Sequence, residues 1–296
     1  MPAIKSGDKV AVLAPCGQIG NPEKIAAALQ YLKDLGLQPV LGSHLFDVRR
    51  YMAGTDIDRA ADVNQAFADP QIKAVFCVRA AAGGTRILPH IDYKLARNNP
   101  KPIIGFCDNA ALQLALYQLS EITSYNGFVM AYDFKTGVLD SSIKDNLEKL
   151  LKQDKFSITS GKTLKSGLAT GTLLCSNLTV LTRLAGTPYF PDLSRKILLL
   201  EEVNEPIYKI DLMLQQLKQQ AGFSELSGVI FGQFTNIKTD EEDGTLADCF
   251  ADFLQNTDFP VIADFNFGHT VSRHVLPVGA EVEMNSDTAE LKILRY

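Results

Sequence analysis

The stretch with the clearest capacity for chemistry is Lys101-Pro-Ile-Ile-Gly-Phe-Cys107-Asp-Asn-Ala-Ala-Leu-Gln-Leu-Ala-Leu116. Ile103 and Ile104 make a short apolar run that stops at Gly105, and helical spacing of apolar residues begins at about Asn109. A cysteine on so sharp a strand-to-helix turn has the geometry of a nucleophile elbow, exposed above a sheet and close to a helix N-terminus. The first turn of a helix leaves its N–H groups without intrahelical partners, and the same helix end favours a thiolate. The competing reading is a small buried cysteine closing a core strand, the commoner fate of a free thiol. The local pattern leaves both open.

A nucleophile needs a base and donors for the developing oxyanion. Four histidines are available. His44 falls in a loop, His90 follows a helical segment, and His274 sits in the polar run Ser272-Arg273-His274. His269 follows Asn266-Phe267-Gly268, where a strand end and a glycine bend can thrust a side chain outward. For a carboxylate, Glu201 and Glu202 terminate the apolar run Ile197–Leu200. Period-two alternation sends them to opposite faces, so one is driven toward an interior or cleft and must find a partner.

The elements that position these groups read as an α/β chain. Lys9–Ala14, Gln38–Leu41, Ala74–Val78 and the elbow strand alternate with helices marked by Ile25, Leu29 and Leu32, by Ala60, Val63 and Phe67, and by Leu112, Leu116 and Leu119. Such alternation predicts a doubly wound, Rossmann- or flavodoxin-like parallel sheet with its crevice at the carboxyl ends of the strands. Gly- or Ala-rich loops at 15–20, 79–85 and 105–109 fall at those ends. We expect an N-terminal α/β domain over 1–155 and a polar Ser/Gly/Thr-rich linker over 156–168. A smaller β-rich domain over 169–296 is expected to carry Glu201 and His269. With 296 residues, 46% hydrophobic content and a net charge of −5, the chain fits a soluble enzyme rather than a nucleic-acid or membrane binder. An N-terminus without a signal-peptide core points to the cytoplasm. Five cysteines without CxxC spacing indicate neither a zinc site nor a disulfide framework, so no metal is expected.

With Cys107, Glu201 and His269 in that order, the sequence resembles the L,D-carboxypeptidase family, which includes murein tetrapeptide carboxypeptidases and microcin C immunity hydrolases. The blocks that carry the likeness are GDKVAVLAPCG, AGTDIDRAADVNQAF, CVRAAAGGTRILPHIDY, KPIIGFCDNAAL, GTLLCSNLTVL, ILLLEEVNEPIYKIDLMLQQL and DFNFGH, essentially end to end. The resemblance implies a serine-type hydrolase with its active site between two domains, often homodimeric. Its Ser-Glu-His triad removes the terminal D-alanine from an L,D-linked tetrapeptide in peptidoglycan recycling. Carried over residue by residue, the nucleophile falls on Cys107, the base on His269 and the orienting carboxylate on Glu201. Oxyanion and substrate contacts fall on Asp108 and on the Arg79–Ala82 loop, including Ala81. The departures are specific. Cysteine replaces the family serine, Arg79-Ala-Ala-Ala-Gly83 replaces Arg-Gly-Gly-Tyr-Gly, Ala110 replaces a threonine, and Leu212 replaces an arginine. Alanine disfavours a positive φ that glycine adopts freely, but it still donates its N–H.

Three readings follow. The first is an amide or peptide hydrolase acting on a small muropeptide-like peptide, without cofactor, nucleic acid or membrane partner. The second is a lapsed relative that binds a peptide-like ligand without turnover. The third, a dinucleotide-dependent enzyme, is weak because Ala14-Pro-Cys-Gly-Gln-Ile-Gly20 lacks Gly-x-Gly-x-x-Gly and places a proline in the phosphate turn.

Overall fold

The computed structural model describes residues 2–240 and 242–296. They divide into two compact units. The first runs to Asp154 and takes in His274–Gly279 and Tyr296; the second comprises Lys155–Arg273 and Ala280–Arg295.

The first unit is built on a six-stranded sheet. In spatial order its strands are Leu276–Val278, Ser124–Asn126, Ile103–Gly105, Ile72–Cys77, Lys9–Leu13 and Gln38–Leu41. The last five pair in parallel, and Leu276–Val278 runs antiparallel to Ser124–Asn126. Parallel pairing needs long crossovers, which the helices supply, and strands covered on both faces read as unbroken apolar runs. Val10, Val12, Val75, Phe76, Ile103 and Ile104 are accordingly fully buried. Because Ile103–Gly105, Ile72–Cys77 and Lys9–Leu13 are neighbours, the loops leaving their carboxyl ends lie side by side.

Helix Asp56–Ala68 is fixed at both ends. Thr55 and Asp58 form a reciprocal capping box at its start. At its end the buried Lys101 ammonium donates to the carbonyls of Ala66 (2.5 Å), Phe67 (3.0 Å) and Asp69 (2.5 Å), where a cation complements the helix dipole. Helix Ala110–Ser120, expected to be amphipathic, is buried on nearly every side, with eight of its eleven residues inside. Its buried Gln113 donates to Ile103 O (3.1 Å) and Tyr125 O (2.8 Å) and so ties two neighbouring strands to it.

The second unit holds an eight-stranded sheet ordered Ser157–Thr159, Glu290–Arg295, Glu281–Asn285, Leu168–Asn177, Lys196–Val203, Gly228–Thr235, Val261–Ala263 and Lys162–Lys165. The four strands from Leu168–Asn177 to Val261–Ala263 are parallel, and the outer pairings are antiparallel. This unit is rich in strand, as expected, and is mixed α/β, with helices at Leu178–Thr182, Ile207–Lys218 and Leu246–Leu254. The segment 156–168, expected as a linker, instead supplies strands to this sheet, two of them at its opposite edges. Its polar composition reflects those edge positions: Lys162, Thr163 and Leu164 are exposed while Ile158 alone is buried in its strand. The expected C-terminal domain also loses 274–279, whose Leu276–Val278 strand joins the first sheet. Among the described residues no helix is long and apolar enough to cross a membrane.

Candidate active site

In the first unit, Cys107 stands at the turn between strand Ile103–Gly105 and helix Ala110–Ser120, opening a short 3-10 turn, Cys107–Asn109. Its φ is +56°, in the left-handed region that a non-glycine residue enters at a cost. Such strain is found where the surrounding structure over-determines a functional side chain. Gly105 permits the tight turn, since a Cβ there would approach Asn109 Cβ to 2.7 Å. Of the five cysteines, four are buried and Cys107 is half-buried. Burial pushes the Cys16, Cys77, Cys175 and Cys249 thiols up, which keeps them protonated and inert.

The elbow is joined to its two neighbouring loops. The buried Asp108 accepts from Gly84 N through Oδ2 (2.5 Å). The fully buried Asn109 donates to Phe106 O (3.0 Å) and Arg79 O (3.4 Å), and its Oδ1 accepts from Cys16 Sγ (3.3 Å). Gly17 N donates to Ala80 O (2.7 Å). Ala81 is exposed and holds φ at +72°, the conformation a glycine would take without penalty. The Arg79 guanidinium donates to Gln18 O (2.6 Å), which draws the first and second loops together.

In the second unit, Glu201 and Glu202 end strand Lys196–Val203, and both are buried rather than one. Glu202 is spent on structure. It accepts from Asn177 Nδ2, Thr179 N and Val203 N, each at 2.8 Å, and so caps helix Leu178–Thr182. Burial nonetheless raises its carboxyl above the usual range. Glu201 Oε2 lies 2.7 Å from His269 Nδ1. A carboxylate at that nitrogen holds the ring proton on Nδ1 and leaves the neutral imidazole lone pair on Nε2, the arrangement of a general base.

His269 reaches Glu201 because the chain beyond strand Val261–Ala263 runs along Gly228–Thr235. Phe265 N donates to Phe231 O (3.1 Å) and Gln233 N to Phe267 O (2.7 Å). Gly232 and Gly268 make that approach possible: a Cβ at Gly232 would lie 2.4 Å from Phe267 O, and one at Gly268 would lie 3.2 Å from Glu201 Cβ.

The other histidines serve elsewhere. His44 Nδ1 pairs with Asp47 (2.8 Å), His90 is exposed, and His274 Nδ1 meets Asn146 Oδ1 (2.7 Å), its imidazole pushed down by burial. Ligand atoms of His44, Asp47 and Asp58 lie within 4.8 Å of one another, but Asp47 is engaged by His44 and Asp58 by the Thr55 capping box. Sequence reasoning missed Asn109 and Arg59 as parts of the elbow's surroundings. Asn109 had a usable signal, since a polar residue inside an otherwise apolar helix start needs buried partners.

The N-terminal domain model of the LD-carboxypeptidases matches residues 10–127, and the C-terminal domain model matches 170–284. The chain is 32% identical to the probable murein peptide carboxypeptidase of Bacillus subtilis (strain 168) in an alignment 291 positions long that covers 96% of this chain and 91% of that one. The crystal structure of muramoyltetrapeptide carboxypeptidase from Oxalobacter formigenes is similar with a TM-score of 0.89 at 25% identity, covering 97% of this chain and 99% of that chain. MccF in complex with glutamyl sulfamoyl guanosine shares the fold, with a TM-score of 0.89 at 19% identity over 100% of this chain and 98% of that chain. With both domain models in order and a relative matched along nearly its whole length, this protein belongs to the LD-carboxypeptidase family and is a peptidase of that kind.

Proposed function

We propose that this protein removes the terminal D-alanine from a muropeptide-like L,D-linked peptide through a thioester on Cys107. The buried Glu201 carboxylate 2.7 Å from His269 Nδ1 is the observation that carries the reading, because it orients an imidazole as a base. Cys107 Sγ attacks the scissile carbonyl while its proton passes to His269 Nε2. Backbone N–H groups of Asp108 and of the Arg79–Ala82 loop, Ala81 among them, hold the oxyanion. Collapse breaks the C–N bond and the leaving amine takes the proton from His269. Water, deprotonated by the same imidazole, then cleaves the thioester and restores the thiol. Glu201 stays anionic throughout and stabilises the imidazolium.

The left-handed Ala81 supports this reading, since the loop keeps a glycine-like conformation despite its methyl group. The same reading assigns the protein to peptidoglycan recycling in the cytoplasm, as a homodimer. D-Alanine release from an L,D-tetrapeptide tests it, with the parent, Cys107→Ser and Cys107→Ala compared. Release by the parent that vanishes in Cys107→Ala is expected. If the parent is dead and Cys107→Ser is live, the scaffold is sound and cysteine is the wrong nucleophile. Three dead proteins that still bind the peptide would move the non-catalytic reading ahead.

A further inference from the structure

Arg59 is the fourth residue of helix Asp56–Ala68, yet it is only 1% exposed. Its Nη1 donates to Gly83 O (2.9 Å) and to Pro15 O. One nitrogen therefore joins the loop after Lys9–Leu13 to the loop after Ile72–Cys77. Nη2 pairs with Asp56 Oδ1 (2.5 Å), and Asp56 is held from its other side by Arg86 Nε (2.9 Å) and Nη2 (2.6 Å). Gly83, with φ at +119°, leaves room for the guanidinium, since a Cβ there would lie 3.1 Å from Nη1.

The 79–84 loop is thus pinned on both sides of its strained residue. Asn109 holds Arg79 O, Gly17 holds Ala80 O, Arg59 holds Gly83 O and Asp108 holds Gly84 N, with Ala81 left-handed in between. Arg59 Nε has no hydrogen-bond partner among the described residues. A buried cation with an unpaired donor is a poor device for stability alone, because burying charge costs more than most pairings return. What the guanidinium supplies is a fork of fixed geometry, which an ammonium does not reproduce.

We propose that Arg59 is a positioning residue for the peptidase reaction. It sets the 79–84 loop against Pro15 and so fixes the backbone donors that receive the oxyanion. This rests on the reading of Cys107 as the nucleophile and of that loop as its oxyanion partner.

The test compares the full-length parent with Arg59→Lys and Arg59→Met. Amide hydrogen exchange is measured at residues 79–84, and kcat and KM are measured on the L,D-tetrapeptide. We expect exchange in the loop to rise at least about tenfold in both variants, while exchange in the second unit stays at the parent level. Misplaced donors should lower kcat by about 10- to 100-fold with KM within about threefold. Arg59→Lys, the milder change, decides the matter if Arg59→Met does not fold. A folded variant with parental loop exchange, or with a mobile loop and parental kcat, overturns the proposal. A parent without turnover defeats the nucleophile reading instead, and the exchange arm then still decides whether Arg59 holds the loop.

Discussion

Replacing Ala81 with glycine should stabilise the first unit, against the usual expectation for Ala→Gly. A left-handed conformation costs a non-glycine residue about 1–2 kcal/mol. Glycine in its place forfeits about 0.5–1 kcal/mol through the greater freedom of its unfolded chain. Ala81 is exposed, so losing its methyl leaves no cavity to add to the cost. The balance is a gain of about 0.5–1 kcal/mol. The chain has no tryptophan, so urea unfolding followed by circular dichroism is the assay, with a raised midpoint and an unchanged slope expected. The catalytic rate should hold within about threefold, because the N–H at 81 remains. Gly17→Ala is the paired control. Its Cβ would lie 2.6 Å from Ala80 O, a main-chain atom that cannot yield cheaply, and 2.7 Å from Ala81 Cβ, so it should destabilise, and Ala81→Gly, which removes only the second clash, should rescue it in part. An Ala81→Gly variant less stable than the parent would show that the left-handed turn does not strain Ala81.

Other outcomes follow from the same geometry. Glu201→Gln preserves shape but removes the charge that holds the His269 tautomer, so kcat should fall by about 10²–10⁴-fold with little change in KM, read by steady-state kinetics. Gly268→Ala places a Cβ 3.0 Å from Gln233 O at a φ of +140°. It should displace His269, costing about 1–3 kcal/mol in denaturant titrations together with most of the activity. The Arg86 hydrogen bond, with Arg59 behind it, holds the Asp56 carboxyl below the usual aspartate range. The stability it contributes is therefore complete above an unfolded pKa of about 4 and is lost as pH falls through the lower folded value. Comparing acid unfolding of the parent with Asp56→Asn should show a shallower loss in the variant, whereas parallel curves would contradict the pairing.

The architecture of the first unit was legible because its central strands are covered on both faces and read as continuous apolar runs, such as Ala74–Val78. The elbow was legible because its turn tolerates nothing larger than Gly105, and that requirement is local. Other features depend on residues far apart. Leu276–Val278 is three residues long and joins a sheet built some 150 residues earlier, with no local signature of its destination. The strands within 156–168 lie at sheet edges, where polar side chains are tolerated and imitate a connection. Arg59 carries no local signal of its role, because the carbonyls it donates to come from Pro15 and Gly83. Alternation at the end of Lys196–Val203 predicted one inward glutamate. Both are buried: Asn177, Thr179 and Val203 satisfy Glu202, while His269 engages one carboxylate oxygen of Glu201.

The most direct test of Cys107 as nucleophile is the intact mass of the enzyme during the first turnovers of an L,D-tetrapeptide, with the adduct mapped by peptide digestion. A transient acyl group, the substrate less its D-alanine, is expected on the peptide containing Cys107 and absent from Cys107→Ala. Turnover that continues in Cys107→Ala, with no adduct at Cys107 in the parent, would contradict it.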